Sequence, residues 1–227
     1  MRKGCTAVIV AAGTAQRMCG IDKMMTKLRG VPLLLRTVRA LAASEEITDI
    51  IIVTRKELVQ KVRELCERDT KGLCAVVEGG SSRAESVLRG LKAVRTELVA
   101  IHDGARPLVT VRVMEEAIAA AAQYGAAAPA IPVHDTIKVA QNGIVTQTPD
   151  RSTLFAVQTP QVFRTEAIRT ALRAALEKNL PLTDDCSAME AAGYPVHLTA
   201  GEEENLKITV PSDLILAEAI LKRRENP

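Results

Sequence analysis

Short, uninterrupted apolar runs recur along this chain and alternate with amphipathic segments of helical period. A run such as residues 6–11 is long enough for a strand buried on both faces, which is typical of a parallel sheet covered by helices. Strands are predicted at residues 6–11, 50–54, 75–77, 98–101 and 126–131. Helices are predicted between them at residues 33–43, 57–67, 83–94 and 113–124. The alternation predicts an α/β fold with a mostly parallel sheet and helices on both faces.

The pattern changes after Pro132, where polar and apolar residues alternate on either side of Asn142-Gly143. Asn-Gly between two alternating runs predicts a β-hairpin with a two-residue turn. We expect a hairpin arm inserted at about residues 133–155, either as an ordinary surface hairpin or as a projection toward a partner. The remaining sequence predicts helices at 165–177, from 183 and at 212–224, and strands at 195–199 and 205–209. Because no repeat, low-complexity tract or linker interrupts these elements, residues 1–227 are expected to form a single domain.

The composition argues against several classes of protein. Lys and Arg number 30 and Asp and Glu 27, so the net charge of +3 predicts no surface for nucleic acid or another polyanion. The two Tyr, two Phe and absent Trp leave little to stack on single-stranded bases. Five cysteines without a CxxC pair favour a reducing compartment, the cytoplasm, over a disulfide framework or a zinc site. No apolar run approaches the ~18 residues of a membrane span, and the basic start followed by an apolar run is interpreted as a first strand rather than a signal peptide.

The first candidate site follows the first predicted strand, at Ala11-Ala12-Gly13. Ligands of open α/β sheets bind beyond the carboxyl ends of the strands. Small residues there let backbone N–H groups face phosphate oxygens, although neither a GxGxxG nor a GK[ST] motif is present. Arg17 and Lys23 follow in the same loop, where two cations can neutralise charge on a phosphoryl group under attack. The alternative is a glycine turn with solvated basic residues.

A second candidate site follows the third predicted strand, at Gly79-Gly80-Ser81-Ser82. Either serine is a natural N-cap for the helix that begins there. The backbone of the two glycines is suited to contact the edge of a base. Ser86, one turn into the helix, is expected to face the same crevice.

A third candidate site follows the fourth predicted strand, in the sequence His102-Asp103-Gly104-Ala105-Arg106. Asp103 at a strand end is a sensible ligand for Mg²⁺, which is held by one or two carboxylates together with phosphate oxygens. Arg106 is expected to shape the turn, and His102 is interpreted as a packing residue. Near the C-terminus, Lys207 lies in an apolar stretch whose end is expected to meet the same crevice.

Together these motifs resemble the 2-C-methyl-D-erythritol 4-phosphate cytidylyltransferase family, a branch of the nucleotidyltransferases. The motifs AAG-x3-RM, GGxxRAxSV, HDxARP, DT-x-K, TPQ-x-F and N-x-K-x-T occur in the family's order between about Thr6 and Glu218. The resemblance implies a Rossmann-like core and transfer of CMP from CTP to 2-C-methyl-D-erythritol 4-phosphate, with release of pyrophosphate, in non-mevalonate isoprenoid biosynthesis. It also implies dependence on Mg²⁺ or another divalent cation, and a homodimer that exchanges the β-arm.

The resemblance implies a role for each motif residue. Arg17 and Lys23 would stabilise the pentacoordinate α-phosphate, and Asp103 would hold the magnesium ion. The residues implied for the CTP site are Ala11, Ala12, Gly13, Gly80, Ser86 and Gly104. The residues implied for the acceptor site are Asp103, Arg106 and Lys207, joined by Thr136 and Arg151 from the other subunit.

The chain departs from the family pattern at Asp22-Lys23-Met24-Met25, where Pro-Lys-Gln before an aromatic residue is usual. Lys27 is therefore an alternative to Lys23 as the second cation. Gly104 stands where Ala is commoner, and Ser81 where an acidic residue is frequent. One alternative function is that of a related cytidylyltransferase, which uses the same nucleotide but acts on ribitol 5-phosphate. A second alternative, suggested by the altered residues 22–25, is a catalytically weak nucleotide-binding homologue.

Overall fold

A computed structural model of the chain describes residues 1–13, 23–70 and 74–225, without the side chains of Lys23 and Arg68. The helices are α1 (Leu33–Ala42), α2 (Val59–Thr70), α3 (Arg83–Leu91), α4 (Val111–Tyr124), α5 (Thr165–Glu177), α6 (Asp185–Ala191) and α7 (Pro211–Glu225). Short 3₁₀ turns lie at Lys23–Met25, Lys56–Leu58 and Arg151–Thr153.

The strands fall into one large sheet and two hairpins. They are β1 (Arg2–Ala11), β2 (Lys27–Leu28), β3 (Val31–Pro32), β4 (Ile47–Thr54), β5 (Cys74–Glu78), β6 (Thr96–Asp103), β7 (Ala126–Pro132), β8 (Val139–Gln141), β9 (Ile144–Gln147), β10 (Phe155–Val157), β11 (Gln161–Arg164) and β12 (His197–Ala200). β2 pairs with β3, and β8 pairs with β9. The strand predicted at 195–199 is confirmed as β12, which begins two residues later and ends one residue later than predicted.

In the part of the chain that the structure describes, eight strands form the main sheet in the order β10-β7-β11-β6-β1-β4-β5, with β12 beside β7. β1, β4, β5 and β6 run parallel to one another, and β12 runs parallel to β7. β10 and β11 run antiparallel to their neighbours. The mostly parallel sheet with helices is confirmed, whereas the two antiparallel strands were not predicted.

The strand order creates a crevice at one end of β1. The chain passes from β1 outward through β4 to β5, then returns to place β6 on the other side of β1. Helix connections diverge at such a switch point, so the carboxyl ends of the two strands are left open to a ligand. The register pairs Val10 of β1 with Asp103 of β6, which brings the first and third candidate sites together.

Two hydrophobic layers cover the sheet. Side chains that alternate along β1 point to opposite faces, so Ala7 and Ile9 pack with α1 and α4, while Val8 packs with α3 and α5. Aliphatic side chains dominate both layers, as the shortage of aromatic residues predicted, and Phe163 is the largest fully buried side chain of the described residues.

The predicted arm is present as the β8–β9 hairpin. Its turn residues, Asn142 and Gly143, have φ values of 51° and 79°, the left-handed conformation that a type I′ turn requires at both central positions. Every residue of both strands is exposed, including Ile144 at 71% and Val145 at 54%. The arm therefore projects from the body of the chain.

The predicted strand at 205–209 is wrong, because this segment is a loop between β12 and α7. Its hydrogen bonds go to other loops instead of a strand ladder. The buried Asn205 side chain donates to the Thr159 carbonyl oxygen at 2.9 Å, and the Ile208 N–H donates to the Ala105 carbonyl oxygen at 2.8 Å. The alternating apolar pattern of this segment indicates that part of it is buried. Burial alone does not distinguish a strand from a loop that is anchored by hydrogen bonds.

Among the described helices, none combines the length and apolarity that crossing a membrane requires. Cys5, Cys66, Cys74 and Cys186 are free thiols, and Cys19 lies outside the described residues.

Candidate active site

A cavity of about 550 Å³ opens at the carboxyl ends of β1, β4, β5 and β6. Its lining residues come from the last residues of β1 and β6, from the segments that follow the four strands, from α3 and from the loop before α7. They are Val10, Ala11, Ala12, Gly13, Met24, Arg55, Gly80, Ser81, Ser82, Arg83, Ser86, Asp103, Ala105 and Lys207. The three candidate sites thus form one cavity.

Close backbone approach shapes the wall beside β5. A Cβ atom on Gly79 would lie 2.6 Å from the Ala12 Cβ and 2.9 Å from the Ser86 Oγ, so no larger residue fits there. The Gly79 N–H donates to the Thr54 carbonyl oxygen at 2.8 Å, and the Gly80 N–H donates to the Ser86 Oγ at 3.0 Å. The N–H donors of both glycines are engaged within the protein, so a base can contact the backbone here through carbonyl oxygens. The Gly79 carbonyl oxygen also accepts a hydrogen bond from Arg89 at 2.8 Å, which a base would share.

Helix α3 is oriented by its N-cap. Ser82 is that cap, because its hydroxyl accepts the N–H of Glu85 at 3.1 Å. Ser81 instead donates its hydroxyl to the Glu85 carboxylate at 2.7 Å. The Ser81 N–H donates to the same carboxylate at 2.8 Å. The two bonds from Ser81, and then the Arg89 guanidinium, lower the pKa of Glu85 to about 2. The capped helix places Ser86, which is buried, at the cavity wall.

Three cations surround the Asp103 carboxylate at the end of β6. The Lys207 Nζ lies 2.7 Å from Oδ2, an Arg83 Nη2 lies 3.5 Å from Oδ1, and the Arg106 Nε lies 4.0 Å from Oδ2. Burial by itself would raise the pKa of Asp103, but the three cations outweigh it and lower the pKa to about 2. The carboxylate is therefore ionised across the physiological pH range.

A second carboxylate, Asp185, lies behind Arg83 at the start of α6. Its Oδ2 is 2.8 Å from the Arg83 Nη2, and the residue is 1% exposed. Burial raises the pKa of Asp185, and the nearby Arg83 only partly offsets that effect. Arg83 thus contacts one carboxylate inside the cavity and one beneath it.

Buried hydrogen bonds hold the loop after β6. Arg106 donates to the Asn205 carbonyl oxygen, which ties this loop to the loop that carries Lys207. The His102 ring contacts the Thr159 Oγ1 at 3.1 Å and the Arg106 carbonyl oxygen at 3.0 Å. Burial lowers the pKa of His102 to about 4, so the ring is neutral at pH 7. His102 has the packing role that its position in the strand predicted.

The structure brings seven of the residues implied by the motifs into this cavity: Ala11, Ala12, Gly13, Gly80, Ser86, Asp103 and Lys207. Gly104 and Arg106 lie behind the wall, where the Gly104 N–H donates to the Val10 carbonyl oxygen at 3.0 Å. Neighbouring Ala105 lines the cavity in place of Gly104.

Four other implied residues are not in the described part of this cavity. Thr136 and Arg151 are exposed at the base of the arm, where Arg151 donates to the His134 carbonyl oxygen at 2.7 Å. Arg17 and the Lys23 side chain lie outside the described residues, although Met24, next to Lys23, lines the cavity.

Lys27, the alternative cation, lines a separate surface cavity with Lys61 and Asp69. The structure therefore does not favour Lys27 as a residue of this site.

The sequence motifs missed three charged residues of the site: Arg55, Arg83 and Asp185. Arg55 directly follows β4, so its place beyond a strand end was a usable signal. Arg83 lies in the GGxxRAxSV motif, whose implied site residues are Gly80 and Ser86. Asp185 had no such signal, because its contact with Arg83 depends on how α6 packs.

A divalent cation could be held here only with help from a ligand. Among the described residues, no group of three or more His, Cys, Asp or Glu side chains is arranged to hold a metal ion. The ionised Asp103 carboxylate fits Mg²⁺, which retains waters and binds through one or two carboxylates and the phosphates of a substrate. The donor set therefore fits a cation that arrives with a nucleotide.

Sequence comparison identifies the family. Residues 5–223 match the family model described as IspD, 2-C-methyl-D-erythritol 4-phosphate cytidylyltransferase. A curated relative of that name from Geobacillus kaustophilus is 43% identical over 221 residues, covering 96% of this chain and 97% of the relative. Another, from Desulforamulus reducens, is 45% identical over 224 residues, covering 96% of each.

Solved structures agree with this assignment. The crystal structure of 4-diphosphocytidyl-2C-methyl-D-erythritol synthase from Anaerococcus prevotii superposes with a TM-score of 0.87 at 31% identity, covering 97% of this chain and 96% of that one. The cytidylyltransferase from Thermus thermophilus superposes with a TM-score of 0.79 at 33% identity, covering 95% and 98%. This chain belongs to the 2-C-methyl-D-erythritol 4-phosphate cytidylyltransferase family.

Proposed function

We propose that the cavity at the ends of β1, β5 and β6 is the place where this enzyme transfers CMP from CTP to 2-C-methyl-D-erythritol 4-phosphate, releasing pyrophosphate. The observation that carries the proposal is the position of Asp103. Its carboxylate lies in the same cavity as the glycine-lined ends of β1 and β5, with Lys207 and Arg83 beside it. A nucleotide, a divalent cation and a phosphorylated acceptor can all be bound from these groups.

The wall beside β5 supports selection of cytosine. The Ser86 Oγ accepts the Gly80 N–H, so its own hydroxyl proton remains to be donated to an acceptor on the base. Backbone carbonyl oxygens beside it accept the amino group that cytosine presents. Uracil carries a carbonyl oxygen at that position, so we expect UTP to bind more weakly.

The phosphates are proposed to lie against the backbone of Ala11 to Gly13, with Arg17 and Lys23 neutralising the charge of the α-phosphate. Asp103 would hold Mg²⁺, which would supply further charge neutralisation on the phosphates. Catalysis then consists of positioning and electrostatic stabilisation for an in-line attack by the acceptor's phosphate oxygen. A phosphate monoester with a second pKa of about 6 is already ionised near neutrality, so the reaction needs no general base from the protein.

The acceptor is proposed to lie at the β6 side of the cavity. Lys207 reaches this region directly, since its Nζ contacts Asp103, and Arg106 lies behind it. Lys207 is suited to the phosphate of the acceptor, whereas Arg106 supports it by holding the loop that carries Lys207.

We further propose a homodimer in which each arm reaches the partner's cavity. On its own chain the arm leaves Ile144 and Val145 exposed, and burial against a second copy would remove that apolar surface from water. Thr136 and Arg151 would then contact the acceptor bound to the partner. The free thiols support a reducing compartment, the cytoplasm, as the location of the enzyme.

Pyrophosphate release tests the proposed function directly. We expect release from CTP with 2-C-methyl-D-erythritol 4-phosphate and a divalent cation, and little release with UTP or without an acceptor. If pyrophosphate is released only with ribitol 5-phosphate, that compound is the acceptor instead. If no acceptor supports release, the result would favour a nucleotide-binding homologue without catalytic activity.

A further inference from the structure

Asp185 is a buried carboxylate that has one ion-pair partner among the described residues. It is 1% exposed, and neither of its oxygens accepts a well-aligned hydrogen bond from a described residue. Its partner is the Arg83 guanidinium, 2.8 Å away. Holding a charge there costs free energy of folding, because burial removes its hydration. A buried polar group left in this condition calls for a functional explanation.

Arg83 is shared unequally between two carboxylates. Its Nη2 lies 2.8 Å from the Asp185 Oδ2 and 3.5 Å from the Asp103 Oδ1. The first separation is that of a close ion pair, and the second is longer than a charge-assisted hydrogen bond. Since Lys207 contacts Oδ2 of Asp103, Oδ1 is the less strongly paired of the two oxygens.

The backbone fixes the place of Asp185. The Gln161 Oε1 accepts the N–H groups of Asp185 and Cys186 at 3.0 and 3.2 Å, and the Gln161 Nε2 donates to the Asp184 Oδ2 at 2.7 Å. Asp184 caps α6 by accepting the Ser187 N–H at 2.9 Å. These bonds attach the first turn of α6, which carries Asp185, to β11. The Asp185 carboxylate therefore has a fixed position, and its ion pair with Arg83 fixes the position of the guanidinium.

We propose that Asp185 is a positioning residue that holds Arg83 away from Asp103, so that the Asp103 Oδ1 stays available to the divalent cation that accompanies CTP. The inference rests on the proposed function, in which Asp103 binds that cation. Without the Asp185 charge, Asp103 is the described carboxylate that remains in ion-pair range of the Arg83 guanidinium, at 3.5 Å. The guanidinium then competes with the cation for Oδ1.

Manganese binding tests this inference without turnover. Mn²⁺ is titrated into the enzyme with saturating CTP and no acceptor, and bound ion is measured by electron paramagnetic resonance. We expect Asp185→Asn to weaken Mn²⁺ binding about 10-fold, the scale for losing a partner that supports a metal ligand. Removing the competitor in the double variant Arg83→Gln/Asp185→Asn should recover affinity, with CTP saturation verified by a separate titration. Unchanged affinity in Asp185→Asn, or no recovery in the double variant, would overturn the inference.

Asp184→Asn is the matched control, because it makes the same chemical change one residue away and leaves the close ion pair between Arg83 and Asp185 in place. It should bind Mn²⁺ as the wild type does, and an equal loss there would show that damage to α6 is responsible and overturn the inference. If Asp185→Asn does not fold, Asp185→Glu and Asp185→Gln can be compared instead, because they differ only in the charge of the side chain. Only Asp185→Gln should then lose affinity for Mn²⁺. Failure of the wild type to bind Mn²⁺ with CTP would instead overturn the cation site of the proposed function, and this inference with it.

Discussion

The Nζ of Lys207 lies 2.7 Å from the Oδ2 of Asp103 and joins the loop before α7 to the end of β6. Asp103 is buried, whereas the Lys207 side chain is 42% exposed, so the lysine reaches inward from the rim of the cavity. A cation in this position can contact an incoming acceptor phosphate while staying close to the carboxylate proposed to bind the metal.

Lys207→Gln should reduce kcat/KM for the acceptor about 100-fold and change the KM for CTP less than about 3-fold, because the lost charge lies on the acceptor side of the cavity. Steady-state kinetics with each substrate varied in turn measures the split. Lys178→Gln, at the end of α5, is a control for the loss of one surface charge. Equal effects on both substrates would contradict the proposed place of the acceptor.

Arg17→Ala and Lys23→Ala should each lower kcat by about 100-fold or more, the scale for losing a contact made in the transition state. CTP affinity should change less, because the proposed contacts strengthen as charge develops on the α-phosphate. Single-turnover rates together with CTP binding separate the two effects. Lys27→Ala is the control, since Lys27 lines a different cavity. If Lys27→Ala is inactive while Lys23→Ala is active, Lys27 and not Lys23 would be the second cation at the α-phosphate.

Arg55→Ala should raise the KM for CTP about 10-fold with little change in kcat. Among the described residues no aromatic side chain lines the cavity, and the planar guanidinium of Arg55 can stack on a base in its place. Arg55→Lys keeps the charge but not the plane, so it should resemble Arg55→Ala. Binding of cytidine, which has no phosphate, measures the contacts of base and ribose without those of the phosphates. Full activity of Arg55→Lys would point to a charge contact instead.

Stability should fall with decreasing pH in two separate windows. The pKa of buried His102 is lowered from 6.5 to about 4, so the unfolded chain takes up a proton first and stability falls as the pH drops from 6.5 to 4. The pKa of Asp103 is lowered from 3.8 to about 2, which removes a further ~2 kcal/mol between those values. Urea unfolding of the wild type, His102→Gln and Asp103→Asn across pH 2.5–7.5 tests both. His102→Gln should flatten mainly the upper window and Asp103→Asn mainly the lower one, with some effect of Asp103→Asn on the upper window because the Asp103 charge raises the pKa of His102.

The exchanged arm predicts complementation between inactive variants. Lys23→Ala and Arg151→Ala homodimers should both be nearly inactive. A heterodimer of the two has one site with both lesions and one with an intact core and an intact partner arm. Purified with two different tags, it should recover about half of the wild-type activity per dimer, one site of two. If each arm serves its own chain, every site keeps a lesion and no activity returns.

Much of this fold could be read from local patterns. The apolar runs predicted β1, β4, β5, β6 and β7 because a strand buried on both faces needs apolar residues on both. Asn142-Gly143 predicted the hairpin because a type I′ turn requires a positive φ at both central positions, and Asn and Gly are among the few residues that adopt it. Loops after parallel strands meet at one edge, so Gly13, Gly80 and Asp103 could be assigned to a common crevice.

The tertiary structure decided what depends on contacts between distant segments. Only the strand order shows that β6 lies directly beside β1, and only the packing of α6 brings Asp185 to Arg83. The 205–209 segment has an apolar pattern, yet its backbone bonds go to Ala105 and the side chain of Asn205 bonds to Thr159. Local sequence sets the φ and ψ preferences of a residue and the face that it buries. The partner of a buried charge or a free N–H is set by the whole chain, because it is whichever group the other elements bring within hydrogen-bonding distance.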